Sequence, residues 1–325
     1  MAELGAMTEV QTVRGPVPAT GLGTVLMHEH VFVLNEEIRQ NYPELWDEEE
    51  QVAAAVARLR ALKDRGVDTI ADPTVVGLGR DIRRVARVNE QVGLHIIPAT
   101  GLYTYNDVPF FFRFRSARGG DETMVGMFTR DITAGIAGTS IKAGFLKCAI
   151  EEELTPGVER ILKAVAEAHK RTGVPIMVHT SPGHGTGLVA QQVLRGEGVD
   201  LGRVLLAHSG DSADLDYLHR LIDGGSYLGM DRFGLDVLLP TDQRVATIAK
   251  LAAEGYAGRM VLAHDAACHI DWFPPGVRER MAPNWYFTFI HDTVLPALRE
   301  AGVAEPQITT MLVDTPRDYF SAGRD

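Results

Sequence analysis

The chain is poor in cysteine. Its 325 residues contain two, Cys148 and Cys268. Two thiols are too few for a disulfide framework, and a reducing, cytoplasmic location is the simpler reading. No apolar run approaches the roughly 18–20 residues of a membrane span. No basic segment followed by an apolar block opens the chain, so no secretory signal and no membrane partner are expected. Basic residues are also in deficit, 32 Lys and Arg against 43 Asp and Glu, for a net charge of −11 with His neutral. A general nucleic-acid binder needs a basic stripe to meet phosphates, so no nucleic-acid partner is expected. There is no low-complexity linker and no shift in composition to mark a domain boundary. What is present is ordinary globular material, 45% hydrophobic and 23% charged, enough for a large core. Residues 1–325 are read as one domain, with 1–23 as an N-terminal cap segment. Within that cap MAELGA reads as a poorly ordered tail before a natural start at Met7.

Short apolar runs recur at 24–30, 68–74, 94–100, 143–149, 174–180, 203–209, 226–232 and 259–265. Between them lie stretches with apolar residues at three- and four-residue spacing, at 48–66, 80–93, 157–173 and 211–225. Several end in Gly just before the next apolar run, which is a helix-stop signal. Strands alternating with helices predict right-handed βαβ units and a parallel sheet. Eight such units in about 240 residues fit a closed barrel better than two open sheets. The predicted fold is α/β, a single (β/α)8 TIM barrel with a short N-terminal cap and a long loop after strand eight. That loop, 266–284, contains DWFPPG, and 284–302 reads as the eighth helix.

In such a barrel the active site lies at the C-terminal ends of the strands. Strand one ends in HEH, so His28 and His30 share a face. Lys147 lies in strand four, His179 ends strand five, His208 strand six and Asp265 strand eight. Singly, each has a bland reading: a core histidine, a helix-capping aspartate, a buried ion pair for the lysine. Together they place four imidazoles, a carboxylate and an ammonium at one rim, a donor set that suits zinc, cobalt, iron or manganese. Strand alternation puts Ala143, Phe145 and Lys147 on one face and Cys148 on the other, where it reads as a structural thiol. Lys142, on the entry side of that strand, points elsewhere. His264 is out of phase with Asp265 and is expected to face the helices. His95 and His219 read as structural, while the pattern assigns nothing to His184, His269 and His291.

The order HxH, Lys, His, His, Asp on successive strands resembles the binuclear amidohydrolase superfamily. MHEHVF (27–32), KAGFLKCA (142–149), VHTSPG (178–183), AHSGDS (207–212) and LAHDAACHIDWF (262–273) resemble, within it, the phosphotriesterase-like lactonases. The likeness runs from about residue 9 to residue 320. It implies two divalent metal ions, the more buried held by His28, His30 and Asp265 and the more exposed by His179 and His208. It implies that Lys147 reacts with carbon dioxide to give a carbamate bridging both. It further implies lactone ring-opening by a metal-bridging hydroxide, with N-acyl-homoserine lactones or related γ- and δ-lactones as substrates. Quorum quenching and a weak side activity on organophosphate triesters come with that reading. Asp265 would both ligate and take a proton, with Tyr103 and Arg232 as its catalytic companions. Tyr103, Tyr105, Arg232, Trp272, Phe273 and Trp285 are the expected substrate-binding residues, although the three last-named aromatics could instead serve a dimer interface. The family also implies a homodimer. The chain departs from the pattern at Ala266 and Ala267, which leave the start of the long loop small-walled. A primary phosphotriesterase is the alternative enzyme. A barrel that binds an apolar ligand without turnover, and a metal-free aldolase using Lys147 as a Schiff base, are alternatives of other classes.

Overall fold

A computed structural model of the chain describes residues 8–116 and 122–321. The expected tail 1–6 and the start at Met7 lie outside the described residues. Eight parallel strands form the barrel: β3 (Val25–Leu26), β5 (Thr69–Asp72), β6 (His95–Gly101), β7 (Phe145–Ala149), β8 (Ile176–His179), β9 (Val204–Ala207), β10 (Tyr227–Met230) and β11 (Met260–Leu262). They pair in that order. The ring closes where the Met27 amide donates to Leu262 O at 3.2 Å and the Asp265 amide to His28 O at 3.0 Å. A hairpin of β1 (Glu9–Thr12) and β2 (Gly15–Pro18) precedes them.

Alternation sorts each strand into two cores. Ile70, Ile96, Leu146, Cys148, Ile176, Leu206 and Leu262 face outward against the helices. Val25, Ala71, Ile97, Phe145, Met177, Leu205 and Val261 fill the barrel interior. Val10 and Leu22 from the hairpin side, with Tyr319 and Phe320 from the last helix, plug the N-terminal end. The C-terminal end alone is left for chemistry. Helices start where side chains satisfy free amides. Asp47 accepts from Glu50 ahead of the helix Glu48–Lys63, and Thr155 from Val158 ahead of Pro156–Thr172. Gly173, at φ 70°, stops the latter in the left-handed conformation.

The predicted first strand and loop eight differ from what forms. The run 24–30 breaks after Leu26, and β4 (His30–Val33) instead pairs in parallel with β12 (Ala267–Ile270). The long segment 266–284 therefore begins as a strand, and a short helix, Val277–Met281, follows. The eighth helix starts later than 284, with a π turn at Ile290–Val294 running into Leu295–Glu300. The wide turn sits directly before Pro296, which has no N–H to continue a regular ladder. Among the described residues, no helix is long and apolar enough to cross a membrane.

Candidate metal centre

The strand ends bring His28, His30, Lys147, His179, His208 and Asp265 to one point on the barrel axis. Asp265 Oδ1 lies 3.1 Å from His28 Nε2 and 3.2 Å from His30 Nε2. Its Oδ2 lies 3.8 Å from His208 Nε2, which is itself 2.9 Å from His179 Nδ1. The Asp265 and His208 backbones are both left-handed, at φ 55° and 68°. Such strain in a residue other than glycine persists only where its surroundings over-determine it. Here the His208 amide donates to Asp231 Oδ1 at 2.7 Å, and the Asp265 amide to His28 O.

The outward nitrogen of every one of these imidazoles meets an oxygen. His28 Nδ1 and His208 Nδ1 each lie 2.9 Å from Asp231, one on each carboxylate oxygen. His30 Nδ1 is 2.7 Å from Thr74 Oγ1, whose own proton goes to Asp72 Oδ1. His179 Nε2 is 3.0 Å from Glu151 Oε2. With a proton on each outward nitrogen, four lone pairs would face the centre, as metal ligation requires. Asp231 meets the two outward imidazole nitrogens and the His208 amide, so it orients two ligands rather than forming a second ion site of its own.

Burial alone would raise the Asp231 and Asp265 carboxyls, but the facing imidazoles hold both well below the usual range. Burial lowers His208 and His179, keeping them neutral and available as ligands. Lys147 Nζ is buried and has no hydrogen-bond partner among the described residues. Desolvation brings it down to about 8. A neutralisable amine beside a carboxylate and converging lone pairs is a donor set that fits two divalent cations. His28, His30 and Asp265 could hold one, and His179 and His208 the other, with Lys147 between.

The centre opens into a cavity of about 60 Å³. Val33, Leu78, Ile270, Trp272 and Trp285 give it apolar walls, and Tyr103 and Arg232 polar ones. Arg232 donates from Nε to Asp265 Oδ2 at 3.0 Å and from Nη1 to Asp211 Oδ2 at 2.9 Å. Tyr103 Oη donates to Glu151 and lies 3.2 Å from His179 Nδ1. Tyr105 and Phe273 are not brought to this cavity: Tyr105 packs on the outer core, and Phe273 lines a separate groove. His264 is buried and faces away from the centre, on Glu29. Lys142 lies before β7, partly exposed. Cys148 and Cys268 are free and buried.

Sequence reasoning missed Asp231, Glu151, Glu29 and the Asp72–Thr74 pair. The signal for Asp231 and Asp72 was there, since each carboxylate ends an apolar run. Glu151 lies beyond its strand and Glu29 between two histidines, where no period marks them.

The phosphotriesterase family model matches residues 8–320. An aryldialkylphosphatase of Saccharolobus solfataricus is 40% identical over 94% of this chain and 97% of its own. The solved structure of a phosphotriesterase from Mycobacterium tuberculosis superposes with a TM-score of 0.94 at 55% identity, over 96% of this chain and 98% of that one. A structure from the molecular engineering of organophosphate hydrolysis activity from a weak promiscuous lactonase template gives a TM-score of 0.88 at 33% identity, over 96% and 99%.

Proposed function

The chain belongs to the phosphotriesterase family of metal-dependent hydrolases, and from that premise we propose that it opens lactone rings. N-acyl-homoserine lactones or related γ- and δ-lactones are the substrates, with organophosphate triester hydrolysis as a weaker side reaction. The observation that carries this reading is the joining of six converging ligands to a cavity with mostly apolar walls. Such walls suit an acyl tail beside an ester carbonyl. The lactonase template among the similar structures supports it.

Two divalent ions bound by these residues would polarise the substrate oxygen and lower the pKa of the attacking water. Lys147, neutral in part near its value of about 8, would bond through Nζ to the carbon of carbon dioxide and release one proton to solvent. The resulting carbamate would supply anionic oxygen donors where the amine supplied none. Asp265 accepts the water's proton at Oδ2 while Arg232 holds that oxygen in place. Tyr103 Oη stands across the same space and, on turning its proton from Glu151, would donate a hydrogen bond to the carbonyl or departing ring oxygen. The acyl–oxygen bond breaks, and the hydroxy acid leaves. The same centre would attack a tetrahedral phosphorus, which resembles the transition state of ester hydrolysis. Phe110, Phe111 and Phe114, exposed together on the helix Phe110–Arg115, support a homodimer, since an apolar patch of this kind marks an interaction surface.

Side-by-side kinetics on a long-chain lactone and an aryl phosphotriester test the assignment. The lactone is expected to give the larger kcat/KM. The reverse would favour a primary phosphotriesterase, the reading that the aryldialkylphosphatase relative supports.

A further inference from the structure

Glu29 lies between two of the candidate ligands in sequence, yet its side chain points away from them. It is fully buried. Its Oε1 accepts the His264 amide at 2.8 Å and His264 Nδ1 at 2.6 Å, and its Oε2 accepts the Ala266 amide at 3.2 Å. The amide between these two, that of Asp265, goes to His28 O at 3.0 Å. Three consecutive amides around Asp265 are thus all held by residues 28 and 29. The β11 ladder ends at Leu262, so apart from the closing bond to His28 O no strand carbonyl holds these amides, and Asp265 itself sits at φ 55°. A backbone in that conformation is strained for a residue other than glycine, and the clamp supplies what keeps it there. Beyond His264 the connection continues. Its Nδ1–H goes to Glu29, so Nε2 is free to accept the Ile290 amide at 2.9 Å. Its carbonyl accepts Trp285 Nε1 at 2.8 Å, and Trp285 is a wall of the cavity.

We infer that Glu29 is a positioning residue that presets Asp265 against His28 and His30 before any ion arrives, and through His264 anchors the Trp285 wall. The inference rests on the metal-centre reading above. A carboxylate is needed because three donors converge on it. A glutamine would offer one oxygen and turn its own N–H groups toward an N–H. The ion at His28, His30 and Asp265 should suffer, and the one at His179 and His208 should not.

Zinc binding to the metal-free wild type and Glu29→Gln, by chelator competition, tests this together with circular dichroism. Wild type is expected to bind two zinc ions. Glu29→Gln should keep one at wild-type affinity and bind the other about tenfold more weakly or worse, with an unchanged dichroism spectrum. Hydrogen exchange at the 264–266 amides of the metal-free wild type gives a reading that needs no variant to fold. Slow exchange supports a preset clamp, and exchange at loop rates overturns it. His264→Asn keeps a donor for Glu29 but loses the acceptor for Ile290. It should retain both ions and raise KM severalfold with little change in kcat. Wild type binding fewer than two ions would sink the metal-centre reading. Wild type binding two, with Glu29→Gln matching it, would sink the clamp alone.

Discussion

Replacing Asp231 by Asn changes one atom and removes an acceptor on which two ligands depend. Asp231 takes His28 Nδ1 on one oxygen, and His208 Nδ1 and the His208 amide on the other. Asparagine has one oxygen, so whichever imidazole it does not serve meets an N–H group instead. That imidazole must leave a buried donor unsatisfied or move its proton to Nε2, where the inward lone pair is lost. A buried unsatisfied donor costs about 1–3 kcal/mol, or roughly 5- to 150-fold in an equilibrium constant. Loss of an orienting partner typically lowers metal affinity by 10–100-fold, and the two estimates agree. Asp231→Asn is therefore expected to weaken at least one zinc ion by about 10–100-fold, and kcat/KM at limiting zinc by a similar factor. Chelator competition measures the first and steady-state kinetics the second. An Asn variant that bound both ions at wild-type affinity would refute the claim that Asp231 sets the imidazole orientations.

Gly101 lies opposite Lys147 at φ 146°, and a Cβ there would stand 1.9 Å from Lys147 O. Gly101→Ala should lose more than about 3 kcal/mol, read as a collapse of the denaturation midpoint, and a wild-type midpoint would contradict it. Burial raises the Asp236 carboxyl, but hydrogen bonds from Thr241 and Asn284 hold it below the ordinary 3.8. Because its folded value is depressed, its stabilisation is present above 3.8 and lost as pH falls through the folded value. The gap in stability between wild type and Asp236→Asn should narrow below that pH, and a constant gap down to pH ~2 would count against the bonds. Chelation should lower Tm by several degrees, because ligand at 100 times Kd stabilises by about 2.7 kcal/mol. Zinc should restore it, and an unmoved Tm would mean that no ion is bound.

The barrel was legible because its strands are short apolar runs separated by helical periods, a contrast that local sequence carries. The six converging residues were legible because polar groups at the ends of such runs stand out. The break after Leu26 was not, since 24–30 reads as one apolar run and only the partner β12 pulls His30–Val33 into a second small sheet. Asp231 and Arg232 are adjacent polar residues at one strand end, and position alone does not say which of them meets the imidazoles. Tyr105 was grouped with Tyr103 by sequence, but the strand ends at Gly101, so a spacing of two no longer keeps both rings on one side, and Tyr103 alone reaches the cavity.

The most direct measurement is anomalous diffraction at the C-terminal ends of the strands in crystals of protein grown with zinc. Two peaks are expected, one against His28, His30 and Asp265 and one against His179 and His208. Added density on Lys147 Nζ is expected between them. A single peak, or none, would contradict a binuclear centre, and two peaks with a bare lysine would contradict the carbamate.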